Sequence, residues 1–359
     1  MTTLNAQLNL ATLSATSYID TLCDDLATLD FEVVRDAGGA RVALPRGLGA
    51  ARLEGSEDGL HIHAEAASER GISAIKFILG LRLERIAEAE KPDLAWTGYG
   101  ADFEVLPSLR EITVSAVVDL SPRMRRITFA GRDMARFHGE EIHVRLLFPP
   151  AGLARPEWPT PGKNGRPSWP PEERRPATRV YTIRDFDKEH DTVDIDFVLH
   201  GDHGVAGRWA STARPGQIIG VMGPGGGEPE PAAWHLFAGD ETAIPAIARH
   251  LQALPAPTRG VVLIEIADRA EEQALTLPAG MTLTWLHRNG AEAGRNTLLL
   301  DAIRAVAVPE NVEGCQFWLG AEAATAHAVR ALWRDELHLP RRAVRALAYW
   351  HHDLTETSE

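Results

Sequence analysis

The sequence predicts a multidomain chain: a small N-terminal α+β domain, an antiparallel β-barrel and a C-terminal doubly wound α/β domain. Three observations carry this. A segment of two helices and four short strands ends near Trp96, six β-branched runs follow from about residue 107, and strands alternate with helices after the GPGGG turn at 223–227. At 359 residues the chain exceeds what one hydrophobic core supports, so several domains are expected, with boundaries at 1–102, 103–230 and 231–359.

The first domain opens with a helix over residues 12 to 30, where Leu13, Tyr18, Leu22, Leu26 and Leu29 recur at helical intervals. The runs FEVVRD, ARVALP, ARLEGS and GLHIHAEA then read as a meander. A second helix spans 68–90 on Ile72, Ile75, Phe77, Leu79, Leu83 and Ile86. The six later runs are REITVSAVVDLS, MRRITFAG, EIHVRLLFPP, TRVYTIRDFD, DTVDIDFVLHGD and GQIIGVMGP, a barrel pattern. Between the third and fourth, the Pro-rich stretch 149–178 reads as an exposed flap, because prolines cannot donate to a ladder. In the last domain, the strands WHLFAGD, GVVLIEIAD, MTLTWLHR and CQFWLGA alternate with helices at ETAIPAIARHLQAL, 296–307 and 322–338.

The bulk numbers exclude several function classes. A net charge of -13 repels nucleic acid and anionic lipid, so neither is expected as a partner. Cys23 and Cys315 lie in no ligand spacing, which argues against a disulfide framework, an iron–sulfur cluster or a thiolate zinc site. The N-terminus lacks a basic segment before its leucines, and no apolar run reaches membrane-spanning length; the expected location is the cytoplasm, without membrane insertion. His61 and His63 stand two apart on a strand, either half of a metal site or exposed strand histidines, and no metal is expected.

The residues that carry chemistry centre on TRVYTIR. Arg179 and Tyr181 project from one face of a strand, while Thr182 points to the other or is rotated by strand twist. As a flavin site, Arg179 would pair with the pyrophosphate, Tyr181 would stack on the isoalloxazine and Thr182 would hydrogen-bond near N5. The alternative is an ordinary exposed strand. Tyr181 and Thr182 are the candidate catalytic residues.

In chain order, LSPRMRRITFAG, RVYTIR, DIDFVLHGDHG, RWA, PGQIIGVMGPGGG, AGDETAIPAI, WLGAE, Arg330 and the YW pair at 349–350 resemble the siderophore-interacting protein family of flavin-dependent ferric-siderophore reductases. The likeness covers about 103 to 352, with AGDETAIPAI its most specific segment. It implies a ferredoxin-reductase-like architecture, FAD in the barrel, NAD(P)H in the α/β domain and a ferric siderophore as substrate. It adds His200, Gly201 and Gly204 as a turn near the flavin and its phosphates. Gly239, Asp240, Thr242 and Glu322 enter as nucleotide-site residues, although Asp240 and Glu241 equally suit helix capping. Glu322 and Arg330 are either a surface pair or part of the crevice. Asp268 favours a free ribose hydroxyl and Arg269 a 2'-phosphate, which leaves NADH and NADPH both open.

Departures from the family are equally informative. Gly204, Val205, Ala206 and Gly207 replace the usual Gly-Pro-Ala-Ser, removing a hydroxyl, and His351 replaces an arginine after the YW pair. The first hundred residues weakly resemble a small uncharacterised domain whose helix histidines are absent here, around Asp25 and Arg82. Arg341, Arg342, Arg345 and His351 are the candidate contacts for an anionic ferric complex; the arginines could equally be a solvated helix end. Hydride donors give two electrons and ferric iron takes one, so flavin is the cofactor that bridges them. The competing readings are a general flavin or ferredoxin-type reductase with another acceptor, and a non-catalytic flavin or siderophore carrier.

Overall fold

The computed structural model describes residues 3–29, 31–199, 204–227 and 230–352. The backbone forms two compact units, Met1–Leu109 with Gly152–Arg175 and Arg110–Ala151 with Pro176–Glu359.

The first unit is a six-stranded sheet, in the order β2-β3-β4-β5-β1-β6, with two helices. Its strands are β1 (Leu4–Leu10), β2 (Glu32–Asp36), β3 (Gly39–Ala43), β4 (Ala50–Ser56), β5 (Gly59–Ala66) and β6 (Trp96–Gly98); its helices are α1 (Ala15–Ala27) and α2 (Glu69–Ile86). The four expected meander strands are present. The sequence reading missed β1, which lies against β5 from Leu4↔Ala66 to Leu10↔Leu60. Asn5, Gln7 and Asn9 face outward while Ala6, Leu8 and Leu10 are buried, the period-2 signature of a half-buried strand. Ser68 caps α2 by accepting from the Gly71 amide, and Ile72, Ile75, Leu79 and Leu83 enter the core. Leu13, Leu29 and Phe77 are exposed, which corrects their assignment to buried helix faces. Where the resembled domain has histidines, Asp25 of α1 pairs with Arg82 of α2 at 2.7 Å. His61 bonds Asn9 and Ser56.

The second unit begins with β7 (Leu109–Ser121), β8 (Met124–Gly131) and β9 (His143–Phe148). The chain then leaves the barrel for a hairpin of β10 (Thr160–Pro161) and β11 (Pro167–Ser168) that belongs to the first unit. The prolines are tolerated because Pro161 faces Pro167, while the turn is closed by the Gly162 amide donating to the Arg166 carbonyl. Glu84 of α2 accepts from Asn164 and Arg166, so the Pro-rich stretch is anchored rather than a free flap. The chain returns as β12 (Ala177–Asp187) and β13 (Thr192–Val198), passes through α3 (Val205–Ser211) and ends the barrel with β14 (Ile218–Gly225). These six strands close in the order β12-β13-β8-β7-β14-β9 around Ile127, Phe129, Leu146, Ile195 and Phe197.

The remainder is a parallel sheet in the order β17-β16-β15-β18-β19. Its elements are β15 (Trp234–Gly239), α4 (Ile244–Ala253), β16 (Arg259–Ile266), β17 (Gly280–His287), α5 (Leu298–Arg304), β18 (Cys315–Glu322), α6 (Ala323–Ala331) and β19 (Val344–Trp350). The expected alternation is there, with α6 shorter than 322–338 because it passes into a π-turn at Leu332–Glu336. Order reverses between β15 and β18, which opens a crevice at their carboxyl ends. Arg249 of α4 fastens the sheet to the barrel by donating to the carbonyls of Ile183 (3.2 Å) and Gly139 (2.9 Å).

Candidate functional site

On β12, the register sets Arg179 opposite Leu146, Tyr181 opposite Val144 and Thr182 opposite His143 of β9. The pleat therefore turns Tyr181 toward the barrel and Thr182 away from it. The Tyr181 ring packs on Phe197 with centroids 4.4 Å apart, and burial pushes its hydroxyl above the ordinary range while nearby Arg179 pulls the other way. The Arg179 guanidinium donates to the Thr178 carbonyl at 2.7 Å and has no carboxylate partner among the described residues. Buried Thr182 places Oγ1 3.4 Å from His143 Nδ1. Burial lowers His143 to about 4, against a bond to the Tyr181 backbone and with help from the Arg345 charge, so its ring is neutral at pH 7.

The parallel sheet meets the barrel at the same place. Tyr349 of β19 stands edge-on to His143 with centroids 6.0 Å apart. Burial raises its hydroxyl above the ordinary range, and Thr182 is near enough to oppose the shift.

At the reversal point Gly239 pairs with Gly320. A Cβ on Gly239 would fall 2.4 Å from the Ala243 Cβ and 2.6 Å from the Gly320 carbonyl oxygen, so close packing of the strand end requires glycine here. Asp240 accepts from the Thr242 amide (2.9 Å) and hydroxyl, the Glu322 amide (3.2 Å) and Trp350 Nε1 (2.8 Å). Its carboxylate thereby bolts three strand ends together; burial raises it to about 6, opposed by Thr242 and Trp350. Glu322 caps α6 through the Ala324 and Thr325 amides and accepts from the His352 amide. It does not pair with Arg330, which donates to the Ala346 carbonyl. The capping alternative offered for Asp240 and Glu241 therefore describes Asp240, whereas Glu241 is bonded by Arg288 and Glu322 caps α6, a role outside its two expected ones.

The other expected residues are spread out. Gly204 has φ +80° with open space around its Cα, at the start of α3. His200 and Gly201 lie outside the described residues. Arg341 and Arg342 occupy a turn before β19, at the amino ends of the parallel strands and away from the crevice. Arg345 is exposed, and its charge acts on His143 and His250. His351 is exposed at the end of β19, whereas His352 is tied to Glu292.

Sequence reasoning missed His143, a lone histidine with no motif around it. It also missed Arg288, which is buried on β17's exit and bonds Glu241 (3.0 Å) and Glu265 (3.3 Å) from distant parts of the chain.

A cation without a carboxylate partner among the described residues, a half-buried ring and a hydroxyl along one strand match the pyrophosphate, ring system and polar edge of FAD, so the residues present fit that cofactor. A barrel so equipped, joined to a parallel sheet with a crevice at its strand ends, defines a flavin-dependent oxidoreductase. Residues 113–228 match the siderophore-interacting FAD-binding domain, residues 232–353 match the siderophore-interacting protein family, and residues 7–97 match a family of uncharacterized proteins conserved in bacteria. The chain is 32% identical over 235 residues to the ferric vibriobactin reductase ViuB of Vibrio cholerae, covering 64% of this chain and 85% of that one. It is 32% identical over 251 residues to an NADPH-dependent ferric-chelate reductase of Escherichia coli, covering 67% and 92%. The siderophore-interacting protein SipS of Aeromonas hydrophila superposes with a TM-score of 0.60 at 32% identity, covering 69% and 94%. The chain belongs to the siderophore-interacting protein family.

Removing the cation should weaken the flavin site first. Arg179→Ala is expected to loosen FAD by roughly 10–100-fold, the worth of one charge-assisted contact, with lysine restoring part of it. Flavin fluorescence titration reads this out, and unaltered affinity would refute the placement.

Proposed function

We propose that this chain reduces ferric siderophores, with hydride taken from a nicotinamide nucleotide and single electrons delivered to the ferric iron. The observation that carries the reading is the meeting of barrel and sheet, where Thr182 contacts His143 and Tyr349 of the last parallel strand abuts the same histidine. FAD supplies the conversion between a two-electron donor and a one-electron acceptor. Arg179 holds its pyrophosphate, Tyr181 lies against its ring system and Thr182 presents a hydroxyl to it. His200, Gly201 and Gly204 serve the phosphate side. Neutral His143 orients the Thr182 hydroxyl without adding charge. Gly239, Asp240, Thr242 and Glu322 act one step back, fixing the strand ends that border the nucleotide.

The ferric complex is substrate, and its negative charge is met by Arg345, the arginine placed near His143. His351 flanks the same strand end; Arg341 and Arg342 contribute only long-range attraction. An absorbance experiment without oxygen tests the reading. A nicotinamide nucleotide should bleach the bound flavin, and a ferric siderophore should restore its colour while a ferrous chelator captures the released iron. Recolouring only by another acceptor would identify a general reductase, and failure of either nucleotide to bleach would leave a carrier.

A further inference from the structure

The nucleotide reading leaves NADH and NADPH unresolved, but the geometry at the ends of β16 and β17 discriminates between them. A cavity of about 440 Å³ opens there, lined by Arg123, Val198, Glu241, Asp268, Arg288 and Glu292 among others. Its walls come from two sources. Arg123 lies on the turn between β7 and β8 of the barrel, and its amide donates to Glu271 in the turn that follows Asp268. That bond, reinforced by the Ser121 hydroxyl on the same carboxylate, holds the barrel turn against the end of β16.

The charges in the cavity differ in availability. Arg288 is consumed by Glu241 and Glu265, and Glu292 by His352. The Arg123 guanidinium has no carboxylate partner among the described residues. Asp268 caps the turn Arg269–Glu271 by accepting from the Ala270 amide at 2.8 Å, and that bond is the one its side chain makes among the described residues. One cation and one half-engaged carboxylate thus face the same space. Arg269 is exposed and is not part of the lining.

We propose that this cavity takes the adenosine end of the nicotinamide nucleotide and that Asp268 makes the chain prefer NADH to NADPH; the proposal rests on the nicotinamide reading above. A carboxylate at the end of the second parallel strand accepts from a ribose 2'-hydroxyl. A 2'-phosphate in that position would bring two further negative charges against Asp268, with Arg288 already neutralised. Arg123 meets the phosphates common to both nucleotides, so it sets affinity and not choice. The E. coli relative named for NADPH dependence would then differ from this chain in nucleotide preference.

Calorimetric titration of the FAD-loaded protein with NAD+ and NADP+ tests this without turnover. NAD+ should bind at least about tenfold more tightly, the effect of one like-charge contact. Asp268→Ser keeps a capping side chain while removing the charge, and should bring the two affinities within about threefold. Arg123→Gln should weaken both nucleotides alike and leave their ratio unchanged. Tighter binding of NADP+ by the wild type, or an Asp268→Ser variant with the original ratio, would overturn the proposal while leaving the reductase reading intact. A protein that holds FAD and binds neither nucleotide would overturn both.

Discussion

Arg288→Met should destabilise the second unit by about 3–5 kcal/mol, because it strands two buried carboxylates. Arg288, Glu241 and Glu265 are 9%, 4% and 5% exposed, so water replaces the lost partner poorly. Burial works against the Arg288 charge, and its bonds to Glu241 and Glu265 outweigh that burial. The Asn296 side chain donates to Glu265 at 3.1 Å but offers nothing to Glu241. A double variant, Arg288→Met with Glu241→Leu, should recover much of the loss by removing the orphaned charge along with its partner. Urea unfolding followed by tryptophan fluorescence measures both; a single variant as stable as the wild type would show that the network contributes nothing.

The second large effect is acid lability. His235 and His250 are 0% and 1% exposed on either side of Phe237. Among the described residues His250 finds no hydrogen-bond partner for either ring nitrogen, and His235 approaches only the Ala232 backbone. Burial lowers both, His250 from 6.5 to about 3. An unfolded chain therefore binds protons below pH 6.5 that the folded chain refuses, and stability falls with pH from there down to about 3. His250 costs about 1.4 kcal/mol per pH unit in that window, and His235 acts in the same direction. Asp240, raised from 3.8 to about 6, acts oppositely between those two values, since the folded chain takes its proton first. The histidines outnumber it, so acid wins. Replacing His250 by phenylalanine should flatten the dependence of the urea midpoint on pH by about one proton between pH 6 and 4. An unchanged slope would mean that the imidazole is already charged or solvated.

The barrel and the parallel sheet were legible because each depends on local pattern: β-branched runs and strand–helix alternation. The strand at Leu4–Leu10 carried the same period-2 alternation, yet its polar residues read as a mere interruption of leucines. What sequence could not supply was partnership across distance. Arg288 lies 47 residues from Glu241 and 23 from Glu265, and nothing local marks either acid as its counter-ion. His143 and Thr182 are 39 apart and meet only because β9 and β12 are barrel neighbours. Asp240 was legible as a candidate cap, but its bond to the Trp350 indole and the capping of α6 by Glu322 depend on partners no local pattern marks. The arginines at 341, 342 and 345 look like one cluster on paper, but the start of β19 divides them between a strand's amino end and the face near His143.

The central claim is that one barrel strand holds FAD where the parallel sheet can reach it. Titrating FAD into flavin-free, folded protein while following flavin fluorescence tests that directly. One equivalent should be taken up to a sharp end point, and Tyr181→Ala should blunt it. A folded protein that leaves the added flavin as fluorescent as free FAD would contradict the account at its base.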